Sequence, residues 1–140
     1  MHASLQTGAG ERSGTNASRT GWALSGLVIL FLMLDGAMKV AQLPVVAETS
    51  AQLGWPSDPA TTYLLAGLLL GSTLLYAIPR TALLGAILLT GYLGGAVATH
   101  VRIGSPVFSH ILFGVYIGLL AWGGLWLREP RLRDLIPLRR

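Results

Sequence analysis

Four apolar stretches run along the chain, separated by shorter segments that carry Pro, Gly and charge. No residue is charged from Thr20 to Leu34, from Ala60 to Ile78, or from Thr81 to Thr99. The stretch from Val107 to Leu127 is interrupted only by His110. The hydrocarbon core of a bilayer is about 30 Å thick and takes about 20 apolar residues of helix to cross. Three stretches reach that length. The first has about 15 residues, roughly 22 Å of helix, so it must continue through Asp35, Gly36 and Lys39 to reach the far side. The pattern predicts an all-α integral membrane four-helix bundle with spans over residues 21–41, 60–78, 81–101 and 107–127.

The flanking segments read differently. Residues 1–20 are rich in Ser, Gly and Thr and offer nothing to bury, which predicts a disordered tail. A cleaved signal peptide fits poorly, because Asp35 follows the apolar run at once and no small-x-small site stands beside it. Residues 42–59 form the only long connection. Pro44 suits a helix start and Gly54 a helix end. Val45, Val46 and Leu53 alternate with Glu48, Thr49, Ser50 and Gln52, which predicts a short amphipathic helix on the membrane surface. Trp55 suits the interface beside it. Pro79 and Arg80 make a tight turn, so the second and third spans form an antiparallel hairpin. Residues 129–140 form a basic tail.

Charge sets the direction. With four spans, the two ends and the Pro79–Arg80 turn share a side. That side carries Arg12, Arg19, Arg80, Arg128, Arg131, Arg133, Arg139 and Arg140, against Lys39 and Arg102 on the other. The excess of basic residues predicts cytoplasmic N- and C-termini and an extracytoplasmic 42–59 loop. The expected location is a bacterial cytoplasmic (inner) membrane. Composition agrees: 52% of the 140 residues are hydrophobic and 11% charged, where a soluble domain has about 25% charged residues. The net charge of +4 resides mostly in the termini. It indicates a partner surface of lipid rather than nucleic acid. The absence of cysteine excludes disulfides, thiolate catalysis, iron–sulfur ligation and covalent haem attachment.

Candidate chemistry gathers at one depth. Asp35 and Lys39 lie one turn apart near the outer end of the first span and can pair. His100 and Arg102 end the third span, and His110 lies in the first turns of the fourth. Ionisable groups in spans are costly and face the bundle interior or a cavity. One reading is a mutually satisfied cluster that only orients the helices. The other is an outward-opening site for an anionic or quinone-like head group, with Asp35 and His100 sharing a proton. A haem between His100 and His110 is the weaker alternative, the spacing resembles no zinc site, and no metal ligands are expected. No phosphate-binding glycine loop, Ser/His/Asp set or catalytic carboxylate pair is present. Three glycine pairs at helical spacing, Gly67/Gly71, Gly91/Gly95 and Gly114/Gly118, suit close packing inside the bundle or, alternatively, a homodimer face.

The third span carries a family likeness. Ile78-Pro79-Arg80-Thr81, Leu84-Gly85-Ala86 and the string from Gly91 to Arg102 resemble the DoxX-like family of small bacterial membrane proteins. Asp35-Gly36 with Lys39, Leu53-Gly54-Trp55-Pro56 and Trp126-Leu127-Arg128 add to it, and the likeness runs over residues 22–136. It implies a four-helix membrane bundle and a link to membrane redox systems, since the family's namesake resembles a subunit of a thiosulfate:quinone oxidoreductase. Relatives often carry a Glu in the second span where this chain has Leu69, so any chemistry of that acid is missing here. Any oxidoreductase role rests on this likeness, as no catalytic motif is visible. The expectation is an accessory protein or subunit of a quinone-linked redox system, with membrane redox proteins as partners. The alternatives are a small-molecule carrier acting as a dimer, or a structural or assembly factor.

Overall fold

The computed structural model describes residues 4–135. Six α-helices are present: α1 (Ser4–Val40), α2 (Pro44–Gln52), α3 (Pro59–Ala77), α4 (Ala82–Arg102), α5 (Phe113–Arg128) and α6 (Pro130–Leu135). A π-helical turn (Val107–Ile111) leads into α5. Four segments are long and apolar enough to cross a membrane: Arg12–Val40, Pro59–Ala77, Ala82–Arg102 and Val107–Arg128. Each of the four predicted spans corresponds to one of them. Helix α1 packs on α3 and α5, and α4 closes the ring by packing on both.

One flanking segment differs from expectation. The chain is helical from Ser4 onward, continuous with the first span, where a disordered tail was expected over residues 1–20, of which 1–3 lie outside the described residues. A nucleated helix extends at little cost, because each added residue gains a hydrogen bond without a new nucleus. The extension buries little, and Arg12–Asn16 are exposed. At the other end, Pro130–Leu135 of the expected tail forms α6, while its residues 136–140 lie outside the described residues.

In lipid, the interior is distinguished by size and polarity rather than hydropathy. Leucines such as Leu30, Leu64 and Leu119 point outward. The core instead mixes Val28, Leu69, Leu89 and Leu125 with Ala66, Ala86 and Ala121. Buried hydroxyls bond back to the preceding turn: Ser72 Oγ donates to the Leu68 carbonyl at 2.6 Å, and Thr73 Oγ1 to that of Leu69 at 2.7 Å. That satisfies each group inside its own helix.

The glycine pairs do not pack as expected for internal contacts. Cβ atoms added at Gly67, Gly71, Gly91 or Gly95 would meet open space, and within the third pair Gly114 alone is tightly packed, against Leu93 and Val97. The closest helix approaches occur at glycines outside those pairs. Gly85 of α4 lies directly against the backbone of Tyr76 on α3. Gly21 and Gly124 bring α1 and α5 together, and an added Cβ at Gly21 would stand 2.6 Å from the Arg128 amide nitrogen.

The start of α3 is fixed by Asp58. Its carboxylate accepts from the Thr61 backbone N–H at 2.9 Å and from the Thr61 hydroxyl at 2.8 Å, with Pro59 in the first helical turn. These bonds hold the Asp58 carboxyl below its usual range, the Thr61 amide being the main cause. A carboxyl with a lowered folded-state pKa stabilises above its unfolded value, and the gain disappears as pH falls through the lowered one. Asp58→Ala should therefore reduce thermal stability in detergent at neutral pH. The gap to wild type should close once the pH falls below the carboxylate range.

Candidate functional site

The loop-bearing end of the bundle holds a cavity of about 480 Å³. Its walls are apolar and aromatic, with Phe31 of α1, Tyr92 of α4, and Phe113 and Ile117 of α5. Phe31 and Phe113 meet edge to face, ring centroids 5.5 Å apart, which joins α1 to α5 beside the cavity.

The polar groups lie along its border. Asp35 and Lys39 sit one turn apart because α1 continues through Gly36, a residue that allows Leu70 of α3 to approach closely. Lys39 Nζ donates to both carboxylate oxygens of Asp35, at 2.7 and 2.6 Å. The pair lowers the cost of two charges within a span. His100 and His110 approach from α4 and the π turn, their rings 5.6 Å apart and edge to face. Each holds a serine hydroxyl through Nδ1: Ser105 at 2.9 Å from His100, and Ser109 at 2.8 Å from His110. This leaves Nε2 of each ring as the nitrogen open to another partner. The i→i+5 bonds from Ile111 and Leu112 to the carbonyls of Pro106 and Val107 place His110. Such π turns are frequent at functional sites.

Helix α2 roofs the cavity. Val45, Val46 and Thr49 line it from above, yet α2 buries none of its residues. Its ends bend at Gln42 (φ 53°) and Gly54 (φ 70°), where glycine is free of the penalty that a side chain brings. Arg102 holds the second bend: its Nη2 donates to the Leu53 carbonyl at 2.6 Å.

Four of the five residues singled out from the sequence therefore border one cavity: Asp35, Lys39, His100 and His110. Arg102 lies apart from it and ties the roof. Asp35 is paired with Lys39, and His100 with Ser105. Among the described residues, no three His, Asp or Glu side chains converge as a metal ion requires. Leu69 is fully buried in the core and does not line the cavity.

A second polar cluster, at the terminus-bearing end, escaped sequence reasoning. Arg128 is only 9% exposed. Its Nη2 donates to the Tyr76 carbonyl at 2.7 Å. The guanidinium carbon lies 4.4 Å from the Trp22 ring centroid and 4.9 Å from that of Tyr76. The Tyr76 hydroxyl donates to the Ala121 carbonyl at 2.7 Å and sits 2.9 Å from Ser25 Oγ. One arginine thus joins α1, α3 and α5. Pro79 cannot donate to the Leu75 carbonyl, which accepts from the Thr81 hydroxyl at 2.9 Å instead; the Tyr76 carbonyl that Arg128 reaches carries no comparable sequence signal.

Four membrane-spanning helices in a closed ring, with an apolar cavity bordered by ionisable groups at the loop-bearing end, define a small multi-pass membrane protein. The chain belongs to the DoxX-like family, whose model matches residues 23–124. The match reaches into all four spans but leaves out the start of α1, the last turn of α5 and α6. No curated protein and no solved structure matches the chain.

Proposed function

We propose that this protein binds a quinone-type head group in the cavity beneath α2, as an accessory protein or subunit of a redox system in the bacterial cytoplasmic membrane. The observation that carries this reading is the cavity itself, an aromatic-walled space of about 480 Å³ with an ammonium–carboxylate pair and two imidazoles on its border. A quinone ring presents apolar faces to Phe31, Tyr92 and Phe113, and its carbonyl oxygens accept from Lys39 or an imidazole N–H. Sites of this kind combine mostly apolar walls with a few well-placed polar groups. The arginine bias supports cytoplasmic termini, which puts the cavity in the outer half of the membrane, within reach of lipid-soluble quinones.

The test is thermal unfolding of the detergent-purified protein with a short-chain ubiquinone analogue. A ligand present at about 100 times its Kd stabilises by about 2.7 kcal/mol. That corresponds to a rise of about 5 °C or more. The rise should shrink in Asp35→Asn and His100→Ala. An unchanged melting temperature of the wild type across ubiquinone and menaquinone analogues would overturn the proposal.

A further inference from the structure

A groove of about 330 Å³ lies at the opposite, terminus-bearing end, between the α3–α4 turn and α6. One part of it is basic, with Arg80 from the turn and Arg131 from α6. Another part is apolar, with Leu83, Leu125 and Leu132. Among the described residues, Glu129 is the only acid lining it. The arginines of this region divide into two groups. Arg128 is engaged by Tyr76 and Trp22, and Arg133 donates to the Trp126 and Leu127 carbonyls at the end of α5. Arg80 and Arg131 are exposed and, among the described residues, have no hydrogen-bond or ion-pair partner.

Position and charge narrow the ligand. Arg80 sits between the ends of two spans, Ala77 and Ala82, and Arg131 lies three residues beyond the end of the fourth. Both guanidinium groups are therefore at headgroup level, with leucines continuing toward the bilayer core. The formal charge of the lining is +1, two arginines less one glutamate. A guanidinium matches phosphate oxygens in a bidentate manner. Basic pockets at this depth attract anionic lipid.

We propose that this groove is a binding site for one anionic phospholipid of the leaflet on the side of the termini. The phosphodiester lies between Arg80 and Arg131, and an acyl chain runs along the exposed side of Leu83. A lipid of charge −1 neutralises the groove, whereas a zwitterionic lipid leaves its charge in place. The site is independent of the cavity at the other end and of any reading of that cavity.

Native mass spectrometry and thermal unfolding test this with the full chain, delipidated and supplied with either phosphatidylglycerol or phosphatidylcholine. Phosphatidylglycerol should stay bound as a single copy and raise the melting temperature, and phosphatidylcholine should do neither. The double variant Arg80→Gln/Arg131→Gln should lose both effects. Arg12→Gln/Arg19→Gln removes the same charge elsewhere and should retain them. Inorganic phosphate alone should leave the melting temperature unchanged. Equal retention of the two lipids by the wild type, undiminished phosphatidylglycerol binding by the first double variant, or equal stabilisation by free phosphate would each overturn the site.

Discussion

Gly85→Val should destabilise the bundle by about 3 kcal/mol, the upper end of the range for an overpacked interior. An added Cβ at this position runs into the Tyr76 backbone nitrogen and Cα and the Leu75 carbonyl carbon. Backbone atoms of a packed helix cannot rotate away as a leucine tip can. The whole of α4 must therefore shift from α3, and the core contacts of Ala82, Ala86 and Leu89 loosen with it. The same change at Gly67, whose added Cβ meets nothing within 4 Å, should cost less than about 1 kcal/mol, since glycine inside a helix is itself mildly destabilising. Unfolding of both variants in detergent measures the difference. Equal stability of the two would refute the close α3–α4 contact.

Arg128→Ala should produce the second large loss, again about 3 kcal/mol. A cation between two aromatic faces contributes about 1–2 kcal/mol. The hydrogen bond to the Tyr76 carbonyl adds about 1.5 kcal/mol or more, as it involves a charged donor. Against these stands the burial of Nε and Nη1, which have no hydrogen-bond partner; the flanking rings offset that cost in part. Arg128→Met separates packing from hydrogen bonding. Methionine refills the space between Trp22 and Tyr76 but leaves the Tyr76 carbonyl without a donor, so its loss should be about half that of alanine. Denaturation curves of the three proteins should rank wild type, methionine, alanine. An alanine variant within about 0.5 kcal/mol of wild type would show that the arginine does not hold the helices together.

The spans were legible because burying backbone in lipid demands long uncharged helices, and nothing else in the chain looks like one. The limits of α2 were legible from Pro44 and Gly54, residues whose backbone geometry is specific. The pairing of Asp35 with Lys39 followed from helical spacing alone. What failed to show were features that depend on direction rather than depth. The sequence placed Arg102 level with His100 but could not say that its side chain turns toward Leu53. It marked glycine pairs by spacing, whereas contact depends on which face meets a neighbour, and the tightest approaches fell on Gly21, Gly85 and Gly124. Arg128 counted as a positive charge at a membrane boundary, and the same residue is buried between two rings. The π turn has no sequence signature in this stretch. It depends on how Pro106 ends one connection while α5 must reach Gly114 against Leu93.

The roof over the cavity has a different mechanical standing from the walls. Helix α2 contributes side chains to the space below but buries none of them, and Arg102 ties its end through a single carbonyl. Lifting it breaks few buried contacts of its own, so the free energy of opening is a small fraction of that for melting the bundle. On the quinone-binding reading proposed above, residence time of the ligand and durability of the fold would be set by separate parts of the chain. Exchange of that ligand could then be altered through residues 42–55 while the four spans stay as they are.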